Sequence, residues 1–311
     1  MDGEVELKKK SLRLISELTF KDFLLSHRIT SRVDKPFTVF ECHDFFPREL
    51  YEQLVEEFPA EQLRHKMGPE DLRARIDQDA HSAEFLNLIS CSPAWSWVVD
   101  CFSSREFVSD LRRLFRRNLT ARVRPRLRFL RWLTELVGLP RVSVKFDFVM
   151  SRGGYHLTPH TDGTKKFFAL MIYLPTAGRL ADSDSMATLF WTAGQLPRAL
   201  RMQHQYRLTS RSFPRVLSLD DTTNPQGLSE FLESAECFHS TGFRDNSLAG
   251  FVKSNESWHS VDLTEVSMAA ERCTVLINLN KTSHWNFRVL ARRLLAAIGL
   301  SSNGQSNQSD Y

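Results

Sequence analysis

A chain of 311 residues, 42% of them hydrophobic, can bury a substantial core as one large domain or two small ones. Its formal net charge of +4 is mild, and a solvated basic surface explains it as well as a polyanionic partner does. The five cysteines are odd in number and widely spaced, with no Cys-x-x-Cys pair, which argues against a disulfide scaffold and against structural zinc.

The first ten residues have no apolar core, so no signal peptide is expected. No run of about 18 apolar residues occurs, so no membrane span is expected either. A soluble protein of the reducing cytoplasm is the expectation. Residues 1–35 read as an N-terminal extension in which Leu14, Leu18 and Leu25, at helical spacing, predict a surface helix.

Residues 36–140 read as a helical support region of the same domain. A short strand is expected at 37–40. A helix follows Pro47, with Leu50, Leu54 and Phe58 as its apolar stripe and Pro59 as its stop. Residues 68–80 are polar and read as a loop. Residues 93–119 predict one or two helices carrying Trp95, Trp97, Val98, Phe102, Phe107, Leu111, Leu114 and Phe115. The arginine-rich segment 112–131 has the charge to grip phosphates, an acidic carrier protein or an anionic glycan. It lacks stacking aromatics on its basic face, which favours a solvated amphipathic helix pair.

Strand character begins at Arg141, where Val142, Val144, Phe146, Phe148 and Met150 alternate with Ser143, Lys145 and Asp147. Residues 141–291 read as the strand-rich core of the domain. It contains strands at 167–174, 188–192, 247–253, 258–263 and 272–279, and a polar, irregular insert at 193–244. A helix is expected at 287–298, and 292–311 comprise its end and a disordered tail. Helices followed by strands with long loops predict an α+β domain in which N-terminal helices brace a β-sandwich or barrel.

The stretch from Gly153 to Pro175 carries His160 and Asp162, two metal-competent side chains one residue apart. In an extended backbone both point to the same side. His156 is four residues before His160, but Pro159 intervenes and the Glu of a helical zinc-protease motif is absent. A third ligand is offered by His259 in Ser-Trp-His-Ser-Val, at the start of a later strand. Two His and one Asp match the donor set of non-haem Fe(II) oxygenases, whose open positions accept a 2-oxo acid and dioxygen. Close ligands on one strand and a third about a hundred residues later suit a double-stranded β-helix, the jelly-roll architecture of cupins. Arg272 opens the last strand, sharing a face with Thr274 and Leu276. A buried guanidinium there needs an anionic partner, and the Tyr173 hydroxyl is placed to assist.

His-Thr-Asp-Gly at 160–163, Ile-Tyr-Leu-Pro at 172–175, Ser-Trp-His-Ser-Val at 257–261 and Arg-Cys-Thr at 272–274 together resemble the prolyl 4-hydroxylase-like branch of the 2-oxoglutarate/Fe(II)-dependent dioxygenases. The resemblance spans roughly 36–279 and is strongest in its second half. It implies that His160, Asp162 and His259 bind Fe(II), and that Arg272, with Tyr173 and Thr274, holds the distal carboxylate of 2-oxoglutarate. It further implies hydroxylation of an unactivated C–H, with succinate and CO2 as co-products and ascorbate as a candidate reductant. The substrate class stays open between peptidyl proline, an amino acid and a carrier- or sugar-linked small molecule, with Arg152, Lys253 and Trp258 as candidate contacts. Nucleic acid is not an expected partner, since Asn278 stands where repair dioxygenases of this type carry a second arginine. Two alternatives are a cupin-type metalloenzyme that does not use 2-oxoglutarate, and an anionic-partner binding protein with a vestigial metal site.

Overall fold

The computed structural model describes residues 15–116, 142–163, 166–175, 183–192, 217–218, 225–254 and 256–281. The expectations for the first 14 residues, for most of the 112–131 basic segment and for the helix and tail beyond 287 lie outside them. Among the described residues, no helix is long and apolar enough to cross a membrane.

The N-terminal half supplies β1 (Ser31–Val33), β2 (Val39–Cys42), α1 (Arg48–Glu56), α2 (Ala60–Lys66) and β3 (Arg73–Asp77). Three helices follow: α3 (Ser82–Cys91), α4 (Pro93–Ser103) and α5 (Arg105–Leu114). Ser92 caps α4 by accepting from the Trp95 amide, with Pro93 in the first turn, and Ser104 caps α5 by accepting from the Phe107 amide. These caps divide the 93–119 pattern into two helices.

The second half supplies β4 (Val142–Arg152), β5 (His156–Thr161), β6 (Lys166–Pro175), β7 (Ser183–Trp191), β8 (Leu217–Ser218) and α6 (Pro225–Ser234). It ends in β9 (Cys237–Phe243), β10 (Ser247–Val252), β11 (Trp258–Asp262) and β12 (Glu271–Lys281). The strands form two antiparallel sheets. One has seven strands in the order β1-β2-β10-β6-β12-β4-β3, the other five in the order β8-β5-β11-β7-β9. From β4 to β7 and again from β9 to β12 the chain alternates between them, β4, β6, β10 and β12 lying in the larger sheet and β5, β7, β9 and β11 in the smaller; between these runs it stays in the smaller sheet through β8.

Side-chain alternation divides the core into two layers. On β6, Phe168, Leu170, Ile172 and Leu174 face the helices, while Ala169, Met171 and Tyr173 face the smaller sheet. Burial on both faces is why β6 reads as an unbroken apolar run. On β12, Cys273, Val275, Ile277 and Leu279 take the helix side. This leaves Arg272, Thr274, Leu276 and Asn278 on the inner side, the division that the sequence predicts. Burial pushes the Cys42, Cys101 and Cys273 thiols up to about 12, so they act as small core hydrophobes rather than nucleophiles.

Three expectations are corrected. Residues 20–27 form two short 3-10 turns instead of a surface helix. Phe23 and Leu25 are fully buried, with Phe23 edge-on to Trp97, and the Asp110 carboxylate of α5 accepts the Ser26 amide. Residues 73–77, expected in a loop, are edge strand β3, whose Ala74 and Ile76 alternate with charged residues. The irregular insert ends earlier than 244, because β9 pairs with β7 as part of the smaller sheet.

The turn from β4 to β5 needs glycine for close approach. A Cβ on Gly153 would fall on the Ser267 and Val266 carbonyls, and Gly154 has φ +81.

A half-buried carboxyl makes stability depend on pH. Asp147 lies on β4 opposite Asp77 of β3, accepts a hydrogen bond from Asn278 of β12 at 3.1 Å, and is also faced by Lys166 of β6 and Arg75 of β3. Burial first, then Asp77, raises its pKa to about 6. In an unfolded chain it titrates near about 3.9. Between these values the native state binds more protons than the unfolded state, so stability falls as pH rises from about 4 through 6 and levels off above. Denaturant melts at pH 4.5 and 7 should show this loss, on the order of 2 kcal/mol. Asp147→Asn should remove it; an unchanged pH slope in that variant would refute the assignment.

Candidate metal centre

His160 is the fifth residue of β5, Asp162 is the first residue beyond it, and His259 is the second residue of β11. β5 and β11 are neighbours, and His160 and His259 are direct cross-strand partners, so both imidazoles project from one face. Their ring centroids are 4.2 Å apart with planes tilted by 47°. The register shifts just after this pair, between His259 and Val261, a local irregularity of the kind that re-aims side chains beside active sites. One ligand atom from each of His160, Asp162 and His259 lies within 4.8 Å of the others.

The backbone fixes the tautomers. His160 Nδ1 is 3.0 Å from the Thr158 carbonyl, and His259 Nδ1 is 3.0 Å from the Ser257 carbonyl. A carbonyl can only accept, so each Nδ1 carries the proton and each Nε2 keeps its lone pair for an ion. Asp162 Oδ1 accepts from Lys166 Nζ at 2.7 Å, while Oδ2 is 3.9 Å from His259 Nε2.

Charge states follow from the surroundings. Burial, then repulsion from His160, lowers the His259 pKa to about 3; burial also lowers that of His160. Burial works to raise Asp162, but Lys166, His259 and His160 outweigh it and hold the carboxyl well below the usual range. At neutral pH the cluster is two neutral imidazoles and one carboxylate, the state a divalent ion requires. Phe190 stacks near His259 with centroids 6.2 Å apart, and Phe251 lies 4.6 Å from the same ring, giving the cluster an apolar wall.

Arg272 lies in the same interior. It is 5% exposed, and its Nε donates to the Met186 carbonyl at 2.8 Å, Nη1 to Thr274 at 3.1 Å and Nη2 to Thr188 at 3.0 Å. Tyr173 and Phe243 flank it, with the guanidinium carbon 5.4 and 5.6 Å from their ring centroids. The Tyr173 hydroxyl bonds to Thr188 at 3.0 Å and Thr241 at 2.7 Å. Among the described residues, no carboxylate lies within ion-pair distance of Arg272. Glu271, its chain neighbour, is held by Arg64 of α2, with contacts of 2.8 and 2.7 Å. Burial accordingly lowers the Arg272 pKa.

The two features are close. Thr188, which bonds Arg272, is two residues along β7 from Phe190, and Phe190 is the cross-strand partner of His259. Two residues of strand span about 7 Å.

Of the three candidate substrate contacts, Trp258 and Arg152 point away from this interior, while Lys253 follows β10 with the parity of Phe251, on its inner side. Trp258 is fully buried against Phe231 in a separate apolar cluster, on the strand face opposite to His259. Lys253 is 2% exposed, with Nζ donating to the Ser254 carbonyl at 2.6 Å. Arg152 has the parity of Met150 and Phe148, which face the helices. Sequence reasoning missed Lys166, Thr188 and Thr241. Only Lys166 left a trace, a cation four residues after Asp162.

No family model matches the chain, and no curated protein matches it. Solved structures do. HygX from Streptomyces hygroscopicus, with nickel and 2-oxoglutarate bound, aligns at 11% identity and a TM-score of 0.40, covering 79% of this chain and 83% of that one. A prolyl 4-hydroxylase from Phytophthora capsici aligns at 13% identity and a TM-score of 0.40, covering 79% of this chain and 59% of that one. A Pseudomonas putida prolyl 4-hydroxylase aligns at 11% identity and a TM-score of 0.34, covering 78% and 92%. Likeness at this level assigns neither an activity nor a ligand.

Proposed function

We propose that the protein is an Fe(II)- and 2-oxoglutarate-dependent oxygenase that hydroxylates a C–H bond. The observation that carries this reading is the pairing of two features in one interior: a His-Asp-His cluster, and a buried guanidinium without a carboxylate that bonds Thr188, two residues along β7 from the cross-strand partner of His259. The donor set fits iron(II), since two Nε2 atoms and one carboxylate oxygen occupy three positions and leave three open. The alternation of β4 to β7 and of β9 to β12 between two sheets supports a double-stranded β-helix as the architecture.

His160, Asp162 and His259 would hold the ion. When bound, iron(II) supplies coupled oxidation: dioxygen converts 2-oxoglutarate to succinate and CO2 and places its second oxygen atom in the substrate C–H. The chain's own groups prepare this. Thr158 and Ser257 carbonyls aim the imidazoles, and Lys166 occupies one oxygen of Asp162 so that the other faces the histidines. Arg272 keeps one N–H on each Nη beyond its three bonds, a fork matched to a carboxylate. Tyr173, Thr188 and Thr274 fix its position, and Phe190 and Phe251 exclude water. A pyruvate-sized acid has no group for Arg272, which favours a dicarboxylic 2-oxo acid. Small molecules and peptides are the proposed substrates, with ascorbate as the reductant in assays.

The test is anaerobic loading with Fe(II), addition of 2-oxoglutarate and air, and quantification of succinate. Succinate above that of a metal-free control, with pyruvate inert, is expected. Tight metal binding with no succinate and no 2-oxoglutarate affinity would overturn the reading in favour of a cupin-type metalloenzyme.

A further inference from the structure

Arg272 has an unexpected companion. Arg73 of β3 is the cross-strand partner of Ser151 on β4, and Ser151 is in turn the partner of Arg272 on β12. The three residues form one transverse row, so their side chains share the inner face of the larger sheet. Ala74 and Ile76 take the opposite face, against the helices. Arg73 Nη1 donates to the Tyr155 hydroxyl at 2.6 Å, and the guanidinium carbon is 5.4 Å from that ring centroid. Tyr155 itself packs against the apolar cluster between the sheets. The Nε of Arg73 is buried and has no hydrogen-bond partner.

The other arginines provide the contrast. Arg64 holds Glu271 at 2.7 Å, Arg113 holds Asp110 at 2.7 Å, and Arg32 holds Asp34 at 2.9 Å. No carboxylate ion pair is formed by Arg73 or Arg272 among the described residues. A cation whose inner N–H is buried and unmatched is costly. Arg73 is such a cation, and Arg272 in the same row is buried without a carboxylate, so the cost falls in one place, where a bound anion would reduce it.

We infer that Arg73, with the Tyr155 hydroxyl, is a second anion contact of the Arg272 pocket, so that the pocket grips its acid between two guanidinium groups. The inference rests on the proposed use of 2-oxoglutarate. Arg272 offers the two N–H groups left on its Nη atoms, and Arg73 offers Nε and Nη2. The Tyr155 hydroxyl, accepting from Arg73, still has a proton to donate. The grip would come from both sides of Ser151, one arm on a central strand and the other on an edge strand.

The test is calorimetric titration of Mn(II)-loaded protein with 2-oxoglutarate, and with 2-oxobutyrate, which lacks the distal carboxylate. Arg73→Gln is expected to weaken 2-oxoglutarate binding by ~10- to 100-fold, the scale of a lost charge-assisted hydrogen bond, and to leave 2-oxobutyrate unchanged. Arg73→Lys, which keeps the charge without the fork, should fall between, and Tyr155→Phe should weaken binding less than Arg73→Gln. Should Arg73→Gln fail to fold, the lysine and phenylalanine variants carry the test through the ratio of the two affinities. Wild-type affinity in the Arg73 and Tyr155 variants, alongside lost affinity in Arg272→Met, would overturn the second contact and leave the proposed function standing. Failure of the wild-type protein to bind 2-oxoglutarate would overturn both.

Discussion

Arg272→Met is expected to abolish 2-oxoglutarate binding while leaving the fold as stable as the wild type, or more stable. The side chain is almost fully buried, and its partners are a carbonyl and two hydroxyls, all neutral. Burial makes the charged form unfavourable, as the lowered pKa reflects. Replacing even a buried ion pair with apolar side chains of similar volume is often neutral or stabilising, and a charge without a counter-ion has less attraction to lose. Methionine fills the space but leaves the Thr188 and Thr274 hydroxyls and the Met186 carbonyl short of a donor, which offsets part of the gain. A structural arginine behaves oppositely: its loss lowers stability and leaves ligand affinity alone. Melting temperature and calorimetric affinity measured together separate the two. A large drop in melting temperature with unchanged affinity would refute a ligand-binding role.

Asp162→Ala is expected to reduce Fe(II) and Mn(II) affinity by more than ~100-fold. That exceeds the 10- to 100-fold typical of losing an outer-shell partner, because here the anionic ligand itself is removed. The two imidazoles remain aimed by their carbonyls, but Lys166, only 20% exposed, then faces them without the carboxylate it holds at 2.7 Å. A cation is left where a cation should bind, which adds repulsion to the lost bond. Metal content after anaerobic loading and dialysis, read by mass spectrometry, checks the prediction. Stoichiometric iron in the variant, or full 2-oxoglutarate turnover, would remove Asp162 from the ligand set.

Much of the site was legible in the sequence because it is built on strands whose inner and outer faces differ in chemistry. Arg272, Thr274 and Leu276 alternate with Cys273, Val275 and Ile277, so the inner face of β12 could be assigned by period alone. His160 and Asp162 stood out for the same reason. The His160–His259 pairing was not legible, because it depends on which strands become neighbours. Strand β3 was hidden by its charge: Arg73, Arg75 and Asp77 outnumber Ala74 and Ile76, so a half-buried edge strand read as a polar loop. The N-terminal turns misled in the opposite direction. Leu18 and Leu25 do serve the core, but the chain bends between them so that Phe23 can reach Trp97.

Strand β6 has a further consequence for motion. It is paired along its length, with β10 on one side and β12 on the other, and it is buried on both faces. Its amides should therefore exchange with deuterium only through global unfolding, while those of edge strands β1, β3 and β9 exchange through local opening. Tyr173 and Arg272 are mounted on this slow pair of strands and hold a fixed geometry. Arg73 rides on the fast edge. The two halves of the pocket would then differ by orders of magnitude in how often they come apart, and a bound acid should slow exchange chiefly in β3.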